Sequence, residues 1–346
     1  MHTSEDRVRH AIGVDIGGTK VRTALVDSSG SVLATKTCRS AFCQDPVADA
    51  AWLVREIWSV ASQAGVCHDS LDGVCVGVPG VLDAAGGTII SCPNARSLEG
   101  TGLKNAIQHM IGLPVMMAND VSMAAVAEGW IGAGVGIRDF LFVAIGTGIG
   151  LGIVINGALY TGTGNAGEGG HVVVADSGPV CGCGRRGCHE TLASGLAIEA
   201  AYSYGHSARE CIESGGVLTY SMTDTVSVSA EEVFQRYRSG DGLARRVVED
   251  AAYYMGVGVA NLINLFAPEL VVIGGGLGVG EWDFISPIVS RICSTHVRIG
   301  IRSKYRIEKS TVDVNAGVLG CAKMVFDRTS PRGMTGGAVI DSSTRF

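Results

Sequence analysis

The chain runs to 346 residues, 47% hydrophobic and 17% charged, with a net charge of −6 at neutral pH. That length accommodates two domains, each with its own core, and a mean hydropathy of +0.30 excludes a largely disordered protein. The acidic balance lacks the basic footprint of a nucleic-acid binder, and the pairs Arg185 with Arg186 and Arg245 with Arg246 read as solvated charges.

The first ten residues, MHTSEDRVRH, are polar and read as no signal peptide. Residues 12–37 alternate apolar and polar around a turn at Asp27-Ser28-Ser29-Gly30, which predicts a β-meander. Residues 46–64 have helical periodicity, and 73–79 (GVCVGVP) read as a buried strand stopped by Pro79-Gly80. A helix is expected over 101–112, a strand over 115–118 and an Ala-rich helix over 120–131. A second pair of strands, 139–145 and 149–155, surrounds a glycine turn. Beyond a cluster of cysteines, helices are expected over 191–202, 229–238 and 242–267, then a short buried strand over 270–273 and a final helix over 315–327. Residues 328–346 are polar and Gly/Ser-rich and read as a flexible tail. The stretch Ala251 to Pro268 holds Asn261, Asn264 and a proline, so it reads as a buried helix and no membrane partner is expected. Eleven cysteines without a secretory signal point to a reducing compartment, hence a cytoplasmic location.

Strand, glycine turn and strand recur as GVDIGGTKVRTALV and FVAIGTGIGLGIVI. Two copies of one module imply a duplicated α/β fold, with a cleft between its halves and ligands at the loops beyond the strand ends. In the first turn, Asp15, Gly17, Gly18, Thr19 and Lys20 offer backbone N–H groups, a hydroxyl and a cation to an anion, with Asp15 able to hold Mg²⁺ through water. The second turn, Gly146-Thr147-Gly148, repeats the device; Gly274, Gly275 and Gly276 follow a strand and allow a flat ring to approach the backbone. No Walker A loop occurs, and the two formal G-x-G-x-x-G matches, at Gly162 and Gly182, do not join a buried strand to a helix. Asp120 closes the segment MMAND and opens a helix, which suits either an N-cap or a general base. Glu168, His171 and Glu190 bracket Cys181, Cys183 and Cys188; carboxylates accept sugar hydroxyls, while three thiols and an imidazole suit either a structural zinc or free thiols.

Taken together, DIGGTK, GVPG (77–80), ND (119–120), GTGIG, AGEGGH, CGCGRRGCHE and GGGLG resemble the ROK family of sugar kinases and repressors over about residues 12–327. The resemblance implies a two-lobed actin/hexokinase-like fold, a duplicated ribonuclease H-like architecture. The lobes would be 1–119 with about 314–327, and 120–313 with a zinc-binding loop. It implies Asp120 as catalytic base; Asn94, Asn119, Glu168, His171 and Glu190 as sugar contacts; and His171, Cys181, Cys183 and Cys188 as ligands of a structural Zn²⁺. DIGGTK and GTGIG would hold the phosphates of ATP with Mg²⁺, and GGGLG the adenosine. A homodimer is expected. Three departures lie near the expected sugar pocket: Gly169 where the family carries a bulky apolar residue, Ser122 in place of an asparagine, and ARSLEG without a tryptophan.

The expected activity is ATP-dependent phosphorylation of a primary hydroxyl on a hexose, glucose first, with N-acetylmannosamine, N-acetylglucosamine, allose or a C7 cyclitol as alternatives. A sugar-responsive repressor is disfavoured because DIGGTK begins at residue 15, ahead of which no DNA-binding module fits. A sugar binder without catalysis is disfavoured by Asp120 and the two phosphate turns.

Overall fold

The alternating stretch after residue 9 forms three antiparallel strands, β1 (His10–Ile16), β2 (Lys20–Asp27) and β3 (Val32–Arg39). The protein is described from a computed structural model, over residues 8–83, 87–207, 209, 228–312 and 314–329. The Asp27 carboxylate closes the β2–β3 turn by accepting the N–H groups of Ser29 and Ser31 at 2.8 and 3.0 Å. Strands β4 (Leu71–Val78) and β7 (Val115–Asn119) join in parallel and give the order β3-β2-β1-β4-β7. β4 is apolar almost throughout because a central parallel strand is covered on both faces. A small hairpin, β5 (Val81–Leu82) and β6 (Ile89–Ser91), follows β4.

Helix α1 (Pro46–Gln63) starts where Asp45 accepts the N–H groups of Val47 and Ala48, with Pro46 in the first turn where no donor is missed. It buries Leu53, Ile57 and Val60 in a core shared with Ile12, Val14 and Val76. Helices α2 (Leu103–Ile111), α3 (Asp120–Ile131) and a helix over Ala316–Thr329 complete this part.

The second half repeats the plan. Strands β8 (Phe140–Ile145), β9 (Ile149–Ile155) and β10 (Ala158–Leu159) are antiparallel, and β11 (Leu270–Gly274) and β12 (Arg306–Lys309) add in parallel. The order β10-β9-β8-β11-β12 matches the first sheet strand for strand, so the echo in the sequence is a true structural repeat. Leu141, Val143, Val271 and Ile273 share a core with the long helix Gly242–Phe266, which starts with Asp241 accepting the N–H groups of Leu243 and Ala244. The sequence reading missed β12 and the helix Trp282–His296. The strand has only four residues, and Pro287 interrupts the helical signal although Ile285, Val289, Ile292 and Cys293 form a buried stripe.

Two compact units result. The first takes the chain to Gly132, residues 162–165 and the chain from Val312; the second takes Ala133–Thr161 and Ala166–Thr311. The sequence reading opened the second lobe at residue 120, but α3 packs in the first unit. The backbone of Met123 lies so close to Gly320, on the Ala316–Thr329 helix, that a Cβ there would overlap it. Residues 330–346 of the expected tail lie outside the described residues. Among the described residues no helix is long and apolar enough to cross a membrane.

Candidate active site

In the first unit, parallel pairing aligns Asp15 of β1 with Gly77 of β4, and Gly77 and Val78 with Ala118 and Asn119 of β7. Asp15, Gly77, Asn119 and the start of α3 therefore share the carboxyl end of the sheet, where ligands of open α/β sheets bind. Side chains at this end decide whether Asp120 is a cap or a free acid. Asn119 is the cap: its Oδ1 accepts the N–H of Ser122 at 3.0 Å and its Nδ2 donates to the Gly80 carbonyl at 3.3 Å. Asp120 is the first helical residue, half-buried, and its Oδ1 accepts the adjacent Val121 N–H at 2.8 Å.

Burial, and then the charge of Asp15, push the Asp120 carboxyl up to about 7, against the pull of the Val121 N–H. Asp15 is itself raised by burial, and the Arg22 guanidinium opposes that shift. Arg22 faces Asp15 across β1 and β2 and donates to the Val314 carbonyl at 2.9 Å and Asn315 Oδ1 at 3.0 Å. Behind Asp15 stands Gly317, where a Cβ would lie 2.6 Å from the carboxyl carbon. Arg22 and Gly317 were missed in the sequence. Period-two alternation places Arg22 on the face of Asp15; nothing local in the sequence links Gly317 to it.

The turn after Asp15 is tight, with the Gly17 N–H donating to the Lys20 carbonyl at 2.8 Å. Gly18, Thr19 and Lys20 are exposed. Asn94 lies in a short helix over Pro93–Leu98, and its side chain is outside the described residues.

The second unit repeats the turn between β8 and β9, where the Gly146 N–H donates to the Gly148 carbonyl at 3.0 Å. The helix Gly195–Ser203 fixes this turn: Gly195 and Leu196 donate to the carbonyls of Gly146 and Thr147 at 2.8 and 3.3 Å. At the matching end of β11, Gly275 adopts φ 79°, and Gly276 opens a short helix beside Gly146. The two glycine motifs of this unit thus share one sheet end, as β8 and β11 are neighbours.

Glu190 joins three motifs. Its Oε2 sits where a Cβ on Gly148 would come within 2.8 Å. Its Oε1 is 3.6 Å from His171 Nδ1 and 3.5 Å from Cys181 Sγ. His171 turns Nδ1 toward Cys181, at 3.4 Å, and Nε2 toward Glu168 Oε2, at 3.7 Å. Cys183 and Cys188 lie 3.6 Å apart, and all four ligand atoms of His171, Cys181, Cys183 and Cys188 fall within 4.8 Å of one another. Zinc–sulfur and zinc–nitrogen bonds of ordinary length put tetrahedral ligand atoms about 3.5–3.8 Å apart, so this donor set fits the ion. Burial pushes the Cys181 thiol well up, while Cys183 is drawn down to about 6 against its own burial by the backbone and guanidinium of Arg185 and by the neighbouring thiols. Gly169 has a local cause: a Cβ there would sit 3.0 Å from the Cβ of Leu151 on β9, and 3.2 Å from a Leu151 methyl.

Apart from Asn94, the expected residues fall into two groups, one in each unit. Asp15, the 17–20 turn, Asn119 and Asp120 gather in the first. The 146–148 turn, Gly274 to Gly276, Glu168, His171, Glu190 and the three cysteines belong to the second.

Known proteins resemble the chain over nearly its whole length. The ROK family model matches residues 11–328. The glucokinase of Halalkalibacterium halodurans is 33% identical over 90% of this chain and 93% of its own. A putative xylose repressor from a Caldicellulosiruptor species is 30% identical over 91% of this chain and 77% of its own. The crystal structure of a ROK family glucokinase from Streptomyces griseus, in complex with glucose and AMPPNP, superposes with a TM-score of 0.72 at 29% identity, covering 91% of this chain and 98% of that one.

Proposed function

This chain belongs to the ROK family, and we propose that it is a sugar kinase that transfers the γ-phosphoryl group of ATP to a primary hydroxyl of a hexose, glucose first. The observation that carries the reading is the Asp120 carboxylate. Asn119 relieves it of capping, and its environment holds it near 7, the range in which a general base works best at neutral pH. A base of that strength takes the proton from the sugar hydroxyl as the oxygen attacks the phosphorus in line. Relatives that carry the names glucokinase and xylose repressor share the fold, so the acid, rather than the likeness, argues for catalysis.

The other roles follow from chemistry. The turns at 17–20 and 146–148 offer N–H donors to the β- and γ-phosphates, and Lys20 adds charge. Asp15 would hold Mg²⁺ through water, an ion that neutralises charge developing on the transferred group. Gly274 to Gly276 leave room for the adenosine. Asn94, Asn119, Glu168, His171 and Glu190 take the sugar hydroxyls, His171 through the nitrogen it turns toward Glu168. His171, Cys181, Cys183 and Cys188 would hold a zinc ion that supplies rigidity and no open coordination position. Holding that ion would fix His171 and the glycine loop for the sugar. The homodimer and the cytoplasmic location belong to the same reading.

Coupled ADP release across hexoses, amino sugars and cyclitols tests it, with metal content measured on the same sample. Turnover with glucose is expected, with N-acetylmannosamine, N-acetylglucosamine, allose and a C7 cyclitol as the alternatives the panel sorts. No sugar-dependent ADP with any of them, together with a salt-resistant shift of operator-like DNA, would replace the kinase by the repressor.

A further inference from the structure

Glu128, on the last turn of α3, is wholly buried, and none of the roles above uses it. Its Oε1 accepts the backbone N–H of Val312 at 3.2 Å. Its Oε2 occupies the space beside Gly132, where a Cβ would run into that oxygen and lie 2.7 Å from a Val312 methyl. The Gly132 N–H in turn donates to the Glu128 carbonyl at 3.0 Å.

The positions of these two residues give the carboxylate its meaning. Gly132 is the last residue before the chain leaves the first unit, and Val312 is the first after it returns from residue 311. The other two passages flank residues 162–165. One buried carboxylate therefore meets both the outgoing and the final returning passage. Packing alone does not call for it, since an apolar side chain of similar volume fills a helix face without the desolvation penalty of an acid.

Both passages lead to the reacting acids. Helix α3 begins at Asp120, about 12 Å away along its axis. After Val312 the chain enters the Ala316–Thr329 helix, whose Gly317 backs Asp15. We infer that Glu128 is a positioning residue: it clasps the two passages together, and so holds the helix bearing Asp120 and the helix behind Asp15 in one register during phosphoryl transfer. The inference rests on the kinase reading and deepens it. With the clasp gone, the hydroxyl and Asp120 lose alignment, and water competes for the γ-phosphoryl group; the bond to the leaving ADP still breaks, and inorganic phosphate forms in place of sugar phosphate.

The test uses the full chain with Glu128→Ala and Glu128→Gln, measuring melting, kcat, both KM values and the ratio of sugar phosphate to ADP. Glu128→Ala is expected to lower kcat at least tenfold and to drop the product ratio well below that of the parent. Glu128→Gln, which keeps an oxygen for the Val312 N–H, should fall between the two. A folded Glu128→Ala with kcat, KM values and product ratio within twofold of the parent overturns the inference, as does lowered melting with an unchanged ratio. Should Glu128→Ala not fold, Glu128→Gln decides by the same limits. A parent without sugar-dependent ADP release sinks the kinase reading instead, so the two failures are told apart.

Discussion

Asp120→Asn should destroy turnover and raise stability, and the stability gain should depend on pH. In the folded protein the carboxyl is raised from an ordinary 3.8 to about 7, by burial first and then by Asp15. A raised acid destabilises the fold wherever the unfolded chain would ionise it freely. The penalty is therefore full above pH 7, shrinks as pH falls, and is gone below about 4. At 1.36 kcal/mol for each tenfold change in acidity, the ceiling is about 4 kcal/mol at pH 8. An amide must also be solvated, so a gain of about 1–3 kcal/mol at pH 8 is the working expectation, or several degrees in melting temperature. Activity should fall by about 10²–10⁴-fold with sugar affinity nearly unchanged, because the base acts only as the proton leaves. Calorimetry at pH 8 and pH 5 and ADP release on the same samples decide the matter. Activity within tenfold of the parent refutes the base. A stability difference equal at the two pH values refutes the physical account of why Asp120 is one.

Asp15→Asn removes the charge that helps hold Asp120 up, so the acid limb of kcat/KM should move to lower pH while the maximum rate falls; a limb that stays or rises contradicts the pairing of these acids. The chain should carry one zinc by elemental analysis, and Cys188→Ser should lose it, lower the melting temperature and raise the sugar KM about tenfold or more while the ATP KM changes little. Full activity in zinc-free protein would deny the ion its role. Gly258→Ala should destabilise by about 1–3 kcal/mol, because the new methyl meets the buried His189 ring, and the double variant with His189→Ala should recover most of it; melting curves of the three proteins show whether it does.

Much of the site was legible from local pattern. The two strand–turn–strand modules announced a duplicated sheet, since a tight glycine turn between alternating strands is encoded within a dozen residues. The clustering of His171 with three cysteines was legible because the three thiols lie within eight residues of one another and His171 within ten of the first. That Asp120 sits at the end of a strand was also readable. Whether it caps its helix was not, since Asn and Asp are equal candidates until the backbone puts Asn119 outside the helix and Asp120 within it.

The sequence by itself therefore determined the repeated module, the acid at the strand end and the grouping of His171 with three cysteines, because each depends on neighbours along the chain. Tertiary structure alone decided that α3 packs in the first unit, that Leu151 packs closely over Gly169, that Arg22 and Gly317 surround Asp15, and that Glu128 reaches a backbone amide 184 residues away. Those facts depend on which surfaces meet when distant segments pack, and hydrophobic pattern states only that a face will be buried, never which residue will lie against it.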